Sequence, residues 1–179
     1  MLPTKAAPRI LQGGMLELEQ LAESESQNCS PETICACVAK TFGVRTNEVA
    51  LLESSGSLLK FLYPSELKSA GVIPISSSAV AARTARTRRA DLFNTFTRVQ
   101  HSSVFEVVKL GDAGTDTDVI QKLMSAPIFS PSEEVIGVIQ VSRKARTAAA
   151  AGPDFTADDL HKLRSAAILV GRLMARSRA

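Results

Sequence analysis

The sequence has few aromatic residues and no apolar run long enough to cross a membrane. It contains no Trp and one Tyr, and aromatic side chains make up 4% of its 179 residues. This scarcity excludes a stacking platform for single-stranded nucleic acid, and the net charge of +3 is too small to indicate a nucleic-acid partner. Since no uncharged apolar run reaches about 18 residues, we expect no membrane partner. The first residues lack a signal-peptide pattern, which predicts a cytoplasmic protein.

Cysteine and histidine, frequent metal ligands and catalytic groups, are also scarce. The odd number of cysteines, Cys29, Cys35 and Cys37, indicates free thiols rather than a disulfide framework. Cys35 and Cys37 are two residues apart on a predicted helix, so they point in different directions and cannot share a metal ion. The two histidines, His101 and His161, complete no Ser-His-Asp set. The sequence therefore predicts no metal site and no catalytic residue, and it favours a protein that is not an enzyme. Whether a cofactor binds, and which one, is unknown from the sequence.

Three segments differ in composition. Residues 1–10 are rich in Pro, Ala and Lys and predict a loose N-terminal arm. Residues 11–29 predict an N-terminal helix that forms a dimer, and residues 30–179 predict one larger domain that ends in a long helix. The apolar residues of the N-terminal helix recur at helical spacing and form one stripe: Leu11, Met15, Leu18 and Ala22.

Helix and strand signals follow in the first part of the larger domain. Ser30-Pro31-Glu32 is typical of a helix start, and Gly43 is a typical stop, so a helix is predicted over 31–42. Two Leu-rich segments, 49–53 and 58–63, are separated by a turn that contains Gly. They predict a hairpin of two strands.

The last third of the chain carries the clearest pattern. The apolar runs 119–129 and 135–142 are joined by a turn-like connector, and the second is too β-branched for a helix, which predicts a central strand. Thr156 and the acids after it indicate the start of the last helix. A heptad seam in that helix extends past what the sheet of one domain covers, which indicates a dimer: Leu160, Leu163, Ala167, Val170 and Met174.

The middle of the chain, residues 65–117, is irregular. It contains a predicted Ser-capped helix near 78–88 and a segment at 102–110 that fits either a helix or a strand. A stretch of this length is too long for a structureless loop. We therefore expect it to fold over one face of the sheet and to form the walls of a pocket.

These elements predict an α+β fold, with an antiparallel sheet, the terminal helices on one face and a ligand pocket on the other. Over about residues 30–176 the chain resembles the GAF domain family. The resemblance rests on the order and spacing of segments 61–64, 71–74, 120–128, 135–141 and 154–160. It implies a sheet of five or six strands, a small-molecule pocket, and an acidic first helix beside the basic last helix.

Some members of that family, including cyclic-nucleotide phosphodiesterases, carry an Asn-Lys and Phe-x-x-x-Asp-Glu signature. Here Lys144, Phe155 and Asp159 match the signature, whereas Arg143 and Leu160 depart from it. The match implies an ion pair between Lys144 and Asp159 that fixes the loop after the last strand to the final helix. The departures argue against cyclic-nucleotide binding.

The candidate ligand-binding residues come from the second hairpin strand and the predicted pocket walls: Tyr63, Arg83, Phe93, Asn94, Phe96 and His101. Arg83 offers a bidentate fork for carboxylate or phosphate, and Tyr63 and Asn94 supply polar groups that orient a ligand. Other roles remain open at this point. The Arg-rich helix also fits a solvated surface, Phe93 also fits plain core packing, and His101 also fits a helix cap.

The leading hypothesis is a non-enzymatic sensory domain that binds an unknown small molecule and signals through its terminal helices. It would act as a homodimer and with an output-domain partner. One alternative is an enzyme like the free-methionine sulfoxide reductases of the same family, which would need a cysteine at the pocket. Another is a structural dimerisation module, whose pocket would be filled by side chains.

Overall fold

The computed structural model describes residues 10–24, 28–96 and 118–178. Its helices are α1 (Ile10–Glu23), α2 (Pro31–Phe42), α3 (Val80–Thr87) and α4 (Ala157–Arg178). Its strands are β1 (Val49–Ser55), β2 (Leu58–Tyr63), β3 (Val72–Pro74), β4 (Asp91–Phe93), β5 (Val119–Phe129) and β6 (Val135–Ala145). Residues 1–9 of the predicted arm and the ambiguous segment 102–110 lie outside the described residues.

The six strands form one antiparallel sheet in the order β3-β2-β1-β6-β5-β4. The β5–β6 hairpin extends from the pair Val119 and Ala145 to the pair Phe129 and Val135, and β6 also pairs with β1. β6 is central and buried over most of its length because its sequence is apolar on both faces. The predicted α+β fold, both predicted hairpin strands and the central strand are confirmed.

Helices α1, α2 and α4 cover one face of the sheet, which we call the helix face, and share one apolar core with it. Two glycines permit close packing there. A Cβ atom at Gly14 would lie 2.4 Å from Cys37 O, and one at Gly171 would lie 2.5 Å from Phe129 O. The backbone of α1 therefore packs directly on α2, and that of α4 packs directly on the end of β5.

The heptad seam of α4 faces this core. Leu163, Ala167, Val170 and Met174 are buried among the sheet and the neighbouring helices, and Leu160 packs at the edge. The expectation that the seam extends beyond the cover of one domain is wrong, because α1 and α2 complete that cover within the same chain. The seam therefore supplies no surface for a second copy.

Helices α1 and α4 lie in contact, and among their described residues no ion pair joins the two helices. Arg176 of α4 donates hydrogen bonds to the backbone carbonyls of Ala22 and Ser24, at the carboxyl end of α1. A cation is favourable there because the last carbonyls of a helix lack partners and carry partial negative charge. The acidic Glu17 of α1 pairs instead with Lys40 of α2, at 2.9 Å.

Among the described helices, α3 packs on the opposite face of the sheet, which we call the α3 face. The buried side chains of α3 and its N-cap are small, which brings the helix close to β5 and β6: Ala79, Val80, Ala81, Ala82, Thr84 and Ala85. The Oγ1 of Thr84 and the Oγ of Ser125 lie 2.7 Å apart, and Gln140 Nε2 donates to Ser125 Oγ at 3.2 Å. This buried polar network fixes α3 over the sheet.

The helix ends follow local signals in two of three predicted cases. α2 begins after Ser30, whose hydroxyl accepts a hydrogen bond from the first turn, and ends at Gly43 with φ 62°. α4 begins with a reciprocal pair of hydrogen bonds between Thr156 and Asp159. The predicted serine cap of α3 is wrong, because the N-cap position is held by Ala79, whose methyl group accepts no hydrogen bond.

Candidate functional site

Three predicted ligand-binding residues, Arg83, Phe93 and Phe96, meet at one end of the α3 face. Arg83 Nη2 lies 3.4 Å from Asp91 Oδ2, and the guanidinium carbon of Arg83 lies 5.8 Å from the centre of the Phe93 ring. Phe93 and Phe96 meet edge to face with ring centres 6.2 Å apart. Phe96 is buried and Arg83 is exposed, so this aromatic–arginine cluster runs from core to surface. Its guanidinium is already paired with a carboxylate and lies beside an aromatic ring.

Asn94 connects this cluster to the start of α4. Its Nδ2 donates to Phe155 O, and its Oδ1 accepts from Phe155 N, both at 2.9 Å. The Phe155 ring is buried, and the guanidinium carbon of Arg143 lies 4.8 Å from its centre. The amide predicted to orient a ligand thus clamps the segment after β4 to the residue two positions before α4.

Tyr63 is not part of the cluster. It pairs with Leu51 and packs on the helix face, where burial raises the pKa of its hydroxyl. A register shift between Leu51 and Leu52 separates it from Phe61, which packs on the α3 face. Tyr63 therefore lies across the sheet from the aromatic–arginine cluster, and its ligand role stays a prediction. His101 lies outside the described residues, and its ligand role stays a prediction.

The ion pair implied between Lys144 and Asp159 does not form between these two described residues. The Asp159 carboxylate accepts a hydrogen bond from Thr156 N at 2.8 Å, so it caps its own helix. Lys144 Nζ donates to Asn47 O at 3.4 Å. The family-like residues therefore serve local structure rather than a contact between loop and helix.

A residue that the sequence did not single out fixes the loop before α4. Lys122 lies in β5 with its side chain buried, pairs with Asp154 at 2.8 Å and donates to Gly152 O at 2.6 Å. A buried ammonium group needs such partners because its desolvation is costly. The only sequence signal was a single Lys inside an apolar run, which does not identify its partners.

All three cysteines lie on the helix face, in α2 or just before it. Cys35 and Cys37 are buried in the core, and Cys29 is half-buried at its edge. Burial raises the pKa of each thiol, that of Cys37 to about 11 with the nearby Glu17 carboxylate contributing. Protonated thiols are poor nucleophiles at neutral pH. The sheet separates these thiols from the aromatic–arginine cluster.

Two surface cavities were not predicted, because their residues are distant in sequence. The first has a volume of about 420 Å³ and lies between α4, the end of β5 and the segment after α3. We call it the arginine groove, and it is lined by Arg88, Arg164, Arg172, Pro127, Phe129 and Ile168 among others. The second, of about 540 Å³, is lined by Arg45, Glu48 and Lys144 among others.

In the second cavity the Arg45 guanidinium and the Lys144 backbone amide are already engaged by Glu48. The buried Glu48 carboxylate accepts hydrogen bonds from the backbone amides of Arg45 and Lys144, both at 2.8 Å, and Arg45 Nη2 lies 3.0 Å from Glu48 Oε1. Within the described ranges, no three His, Cys, Asp or Glu side chains are placed to hold a metal ion. Nor does any helix in those ranges have the length and apolarity needed to cross a membrane.

No protein-family model matches the chain, and no curated protein matches its sequence. Several solved structures do match its fold. The GAF domain of a phosphoenolpyruvate-protein phosphotransferase from Coxiella burnetii is similar with a TM-score of 0.70 at 8% identity, over 97% of each chain. The corresponding Acinetobacter domain is similar with a TM-score of 0.68 at 11% identity, over 96% of this chain and 97% of that one.

A third similar structure is an enzyme. The free methionine-R-sulfoxide reductase from Neisseria meningitidis, in complex with its substrate, has a TM-score of 0.67 at 14% identity, over 99% of this chain and 97% of that one. At such identities the likeness concerns the fold alone. Together with the six-stranded antiparallel sheet and the terminal helices on one face, these matches show that the chain has the GAF-domain fold.

Proposed function

We propose that this chain is a non-enzymatic sensory domain that binds a small molecule at the aromatic–arginine cluster and signals through α1 and α4. The observation that carries this proposal is the pair of hydrogen bonds between Asn94 and Phe155. Asn94 immediately follows Phe93 of the cluster, and Phe155 lies just before α4. A ligand that repositions the cluster would therefore act directly on the start of α4.

The other end of α4 contacts α1. Arg176 holds the last carbonyls of α1, so a shift of α4 along the sheet changes that contact. A ligand that binds one arrangement more tightly than the other shifts the population between them. The signal would leave the domain as a changed packing of α1 on α4, which an output-domain partner reads.

The position of the thiols argues for a sensor over a sulfoxide reductase. A cysteine-dependent reductase needs a nucleophilic thiolate beside its substrate. Here the thiols lie across the sheet from the cluster, and burial raises the pKa of each one. The likeness in fold to a reductase therefore does not extend to a thiol at this site.

A homodimer remains part of the proposal, with its surface on α1 rather than on the seam of α4. Leu16 is 53% exposed although it is a large apolar side chain. Glu19 and Glu23 lie three and seven residues further on and are exposed on the same side of the helix. Sedimentation of Leu16→Glu against the unchanged chain tests whether this surface holds a second copy.

Native mass spectrometry of the full chain, purified from its natural host, tests the ligand site. We expect a small-molecule adduct that Arg83→Gln and Phe93→Ala each remove. Arg89→Gln is the matched control, because Arg89 is an exposed arginine close to α3 for which the structure gives no contact with the cluster. Hydrogen exchange with and without the adduct then asks whether α4 and α1 respond.

Two results would contradict the proposal. An adduct that survives both cluster variants would place the ligand elsewhere. Reduction of free methionine sulfoxide by the chain with dithiothreitol, lost in a Cys→Ser variant at position 29, 35 or 37, would establish the enzymatic alternative.

A further inference from the structure

The arginine groove is separate from the aromatic–arginine cluster and shares no lining residue with it. Its volume of about 420 Å³ falls in the range of small-molecule sites, roughly 300–1,000 Å³. One wall is α4, and the rest comes from the end of β5, the β5–β6 turn and the segment after α3. The groove is therefore built by four parts of the fold that are distant in sequence.

The base of the groove is apolar. Pro127 and Phe129 of β5 line it, together with Ala167 and Gly171 of α4. Ile168 stands at its rim and is 60% exposed, the largest exposed fraction among the large apolar side chains of the described residues. Covering this surface would remove apolar area from water, which favours a ligand with an apolar body.

Three arginines surround this apolar base. Arg164 and Arg172 are exposed on α4, and within the described residues neither makes an ion pair or a hydrogen bond through its side chain. Arg88 extends over the Phe129 ring, with its guanidinium carbon 5.1 Å from the ring centre, and donates to Glu133 O at 2.8 Å. The rim is thus cationic and its charge is not neutralised by these contacts.

The backbone conformation of Arg88 is a further unusual feature of the groove. Arg88 ends α3 in the left-handed region, with φ 59° and ψ 29°, a conformation that glycine adopts without strain. An arginine in this conformation is strained. Its guanidinium lies over the Phe129 ring. The groove therefore includes a cation that local helix-capping preferences alone would not place there.

We propose that the arginine groove binds an amphipathic carboxylate, a small molecule with one anionic group and an apolar body. The apolar body lies on Phe129, Pro127 and Ile168. The carboxylate accepts hydrogen bonds from the guanidinium groups of Arg164 or Arg172, which are donors suited to bidentate pairing with a carboxylate. This ligand site is distinct from the proposed sensory site, because its lining includes neither Arg83 nor Phe93 nor Phe96.

Titration of the full chain with 4-phenylbutyrate, followed by backbone amide NMR, tests the proposal. We expect saturable shifts confined to the segment after α3, the end of β5, the β5–β6 turn and the middle of α4. The isosteric alcohol 4-phenylbutanol and inorganic phosphate serve as the neutral and the purely anionic probes. Each should bind at least about tenfold more weakly, because each lacks one half of the recognised chemistry.

Charge variants complete the test. Arg164→Gln and Arg172→Gln should together weaken 4-phenylbutyrate binding by about tenfold or more, and Ile168→Ser should weaken the alcohol and the carboxylate alike. Lys162→Gln is the matched control, since Lys162 is an exposed cation of the same helix that does not line the groove. Equal effects of the control and the arginine variants would overturn the proposal. The proposal would also be overturned by equal affinity for the acid and the alcohol, by a lack of saturation, or by shifts confined to Arg83, Phe93 and Phe96 of the aromatic–arginine cluster.

Discussion

The two faces of the sheet have different kinds of core. The helix face is covered by helices of 14, 12 and 22 residues, whose buried side chains include several large apolar ones: Leu18, Ile34, Phe42, Leu163, Leu173 and Met174. The α3 face is covered in the described residues by one helix of 8 residues, which is rich in alanine and joined to the sheet by the Thr84–Ser125–Gln140 network. Alanine buries little apolar area, so packing on the sheet contributes less free energy to α3 than to the helices of the other face.

Because the two cores differ, we expect the helix face to determine stability and the α3 face to change in response to a ligand. Apolar burial over three helices makes the helix face the main source of unfolding free energy. A short helix held through hydroxyl and amide groups can shift at lower cost, and its Arg83 belongs to the aromatic–arginine cluster. We therefore expect mutations on the helix face to change stability and mutations at the cluster to change the response of α4.

The largest effect is expected for Leu163→Ala. Leu163 is fully buried in the helix-face core, so its truncation should lower the free energy of unfolding by about 3 kcal/mol in urea titrations. The control on the same helix is Ile168→Ala, whose side chain is 60% exposed, with an expected change within about 0.5 kcal/mol. Similar losses for both variants would mean that α4 does not carry the core as described.

The second-largest effect is expected where the backbones of α1 and α2 approach each other closely. Gly14→Ala places a Cβ atom 2.4 Å from Cys37 O and should weaken the docking of α1 by about 2 kcal/mol, seen as faster amide exchange in α1. A Cβ atom at Gly13 meets nothing within 4 Å. Gly13→Ala should therefore slow exchange in α1, since alanine favours a helix. If both variants changed the rate of amide exchange in α1 in the same direction, the close approach would be refuted.

The third-largest effect is expected at alkaline pH, which should lower the stability of the helix face. Cys37 has an ordinary thiol pKa of 9.0, and the folded protein raises it to about 11. Between these values the unfolded chain loses the thiol proton and the folded chain keeps it, so stability present below pH 9 declines as the pH rises. The expected loss is about 1.4 kcal/mol by pH 10. Urea midpoints of Cys37→Ala should decline less steeply, and an unchanged slope would contradict the shift.

The smallest change in stability, about 1 kcal/mol, is expected for Asn94→Ala, because water can replace some of its two half-buried hydrogen bonds. Amide exchange in the first turn of α4 should become faster. Asn28→Ala, at an exposed asparagine before α2, should leave that exchange unchanged. If α4 exchanges identically in both variants, Asn94 does not couple the cluster to α4.

The sequence predicted features that depend on neighbouring residues. Ser30 and Gly43 delimit α2, and the β-branched run of β6 identifies a buried central strand, because caps and periodicity act over a few residues. Features set by distant contacts were missed. The register shift at Leu51 that turns Tyr63 to the helix face and the pairing of Lys122 with Asp154 both depend on contacts between elements.

The contact of Arg176 with α1 also bears on how the chain folds. It joins residues 152 and 154 positions apart, almost the whole length of the described chain. Closing so long a loop costs more chain entropy than forming the hairpins, and contacts of this range form slowly. Since α1 also packs directly on α2, its near neighbour in sequence, we infer that only its contact with Arg176 has to wait until α4 is in place. The reverse order makes the contact between Arg176 and α1 an early one to open in the native protein, while α1 stays packed on α2 and the strands stay paired.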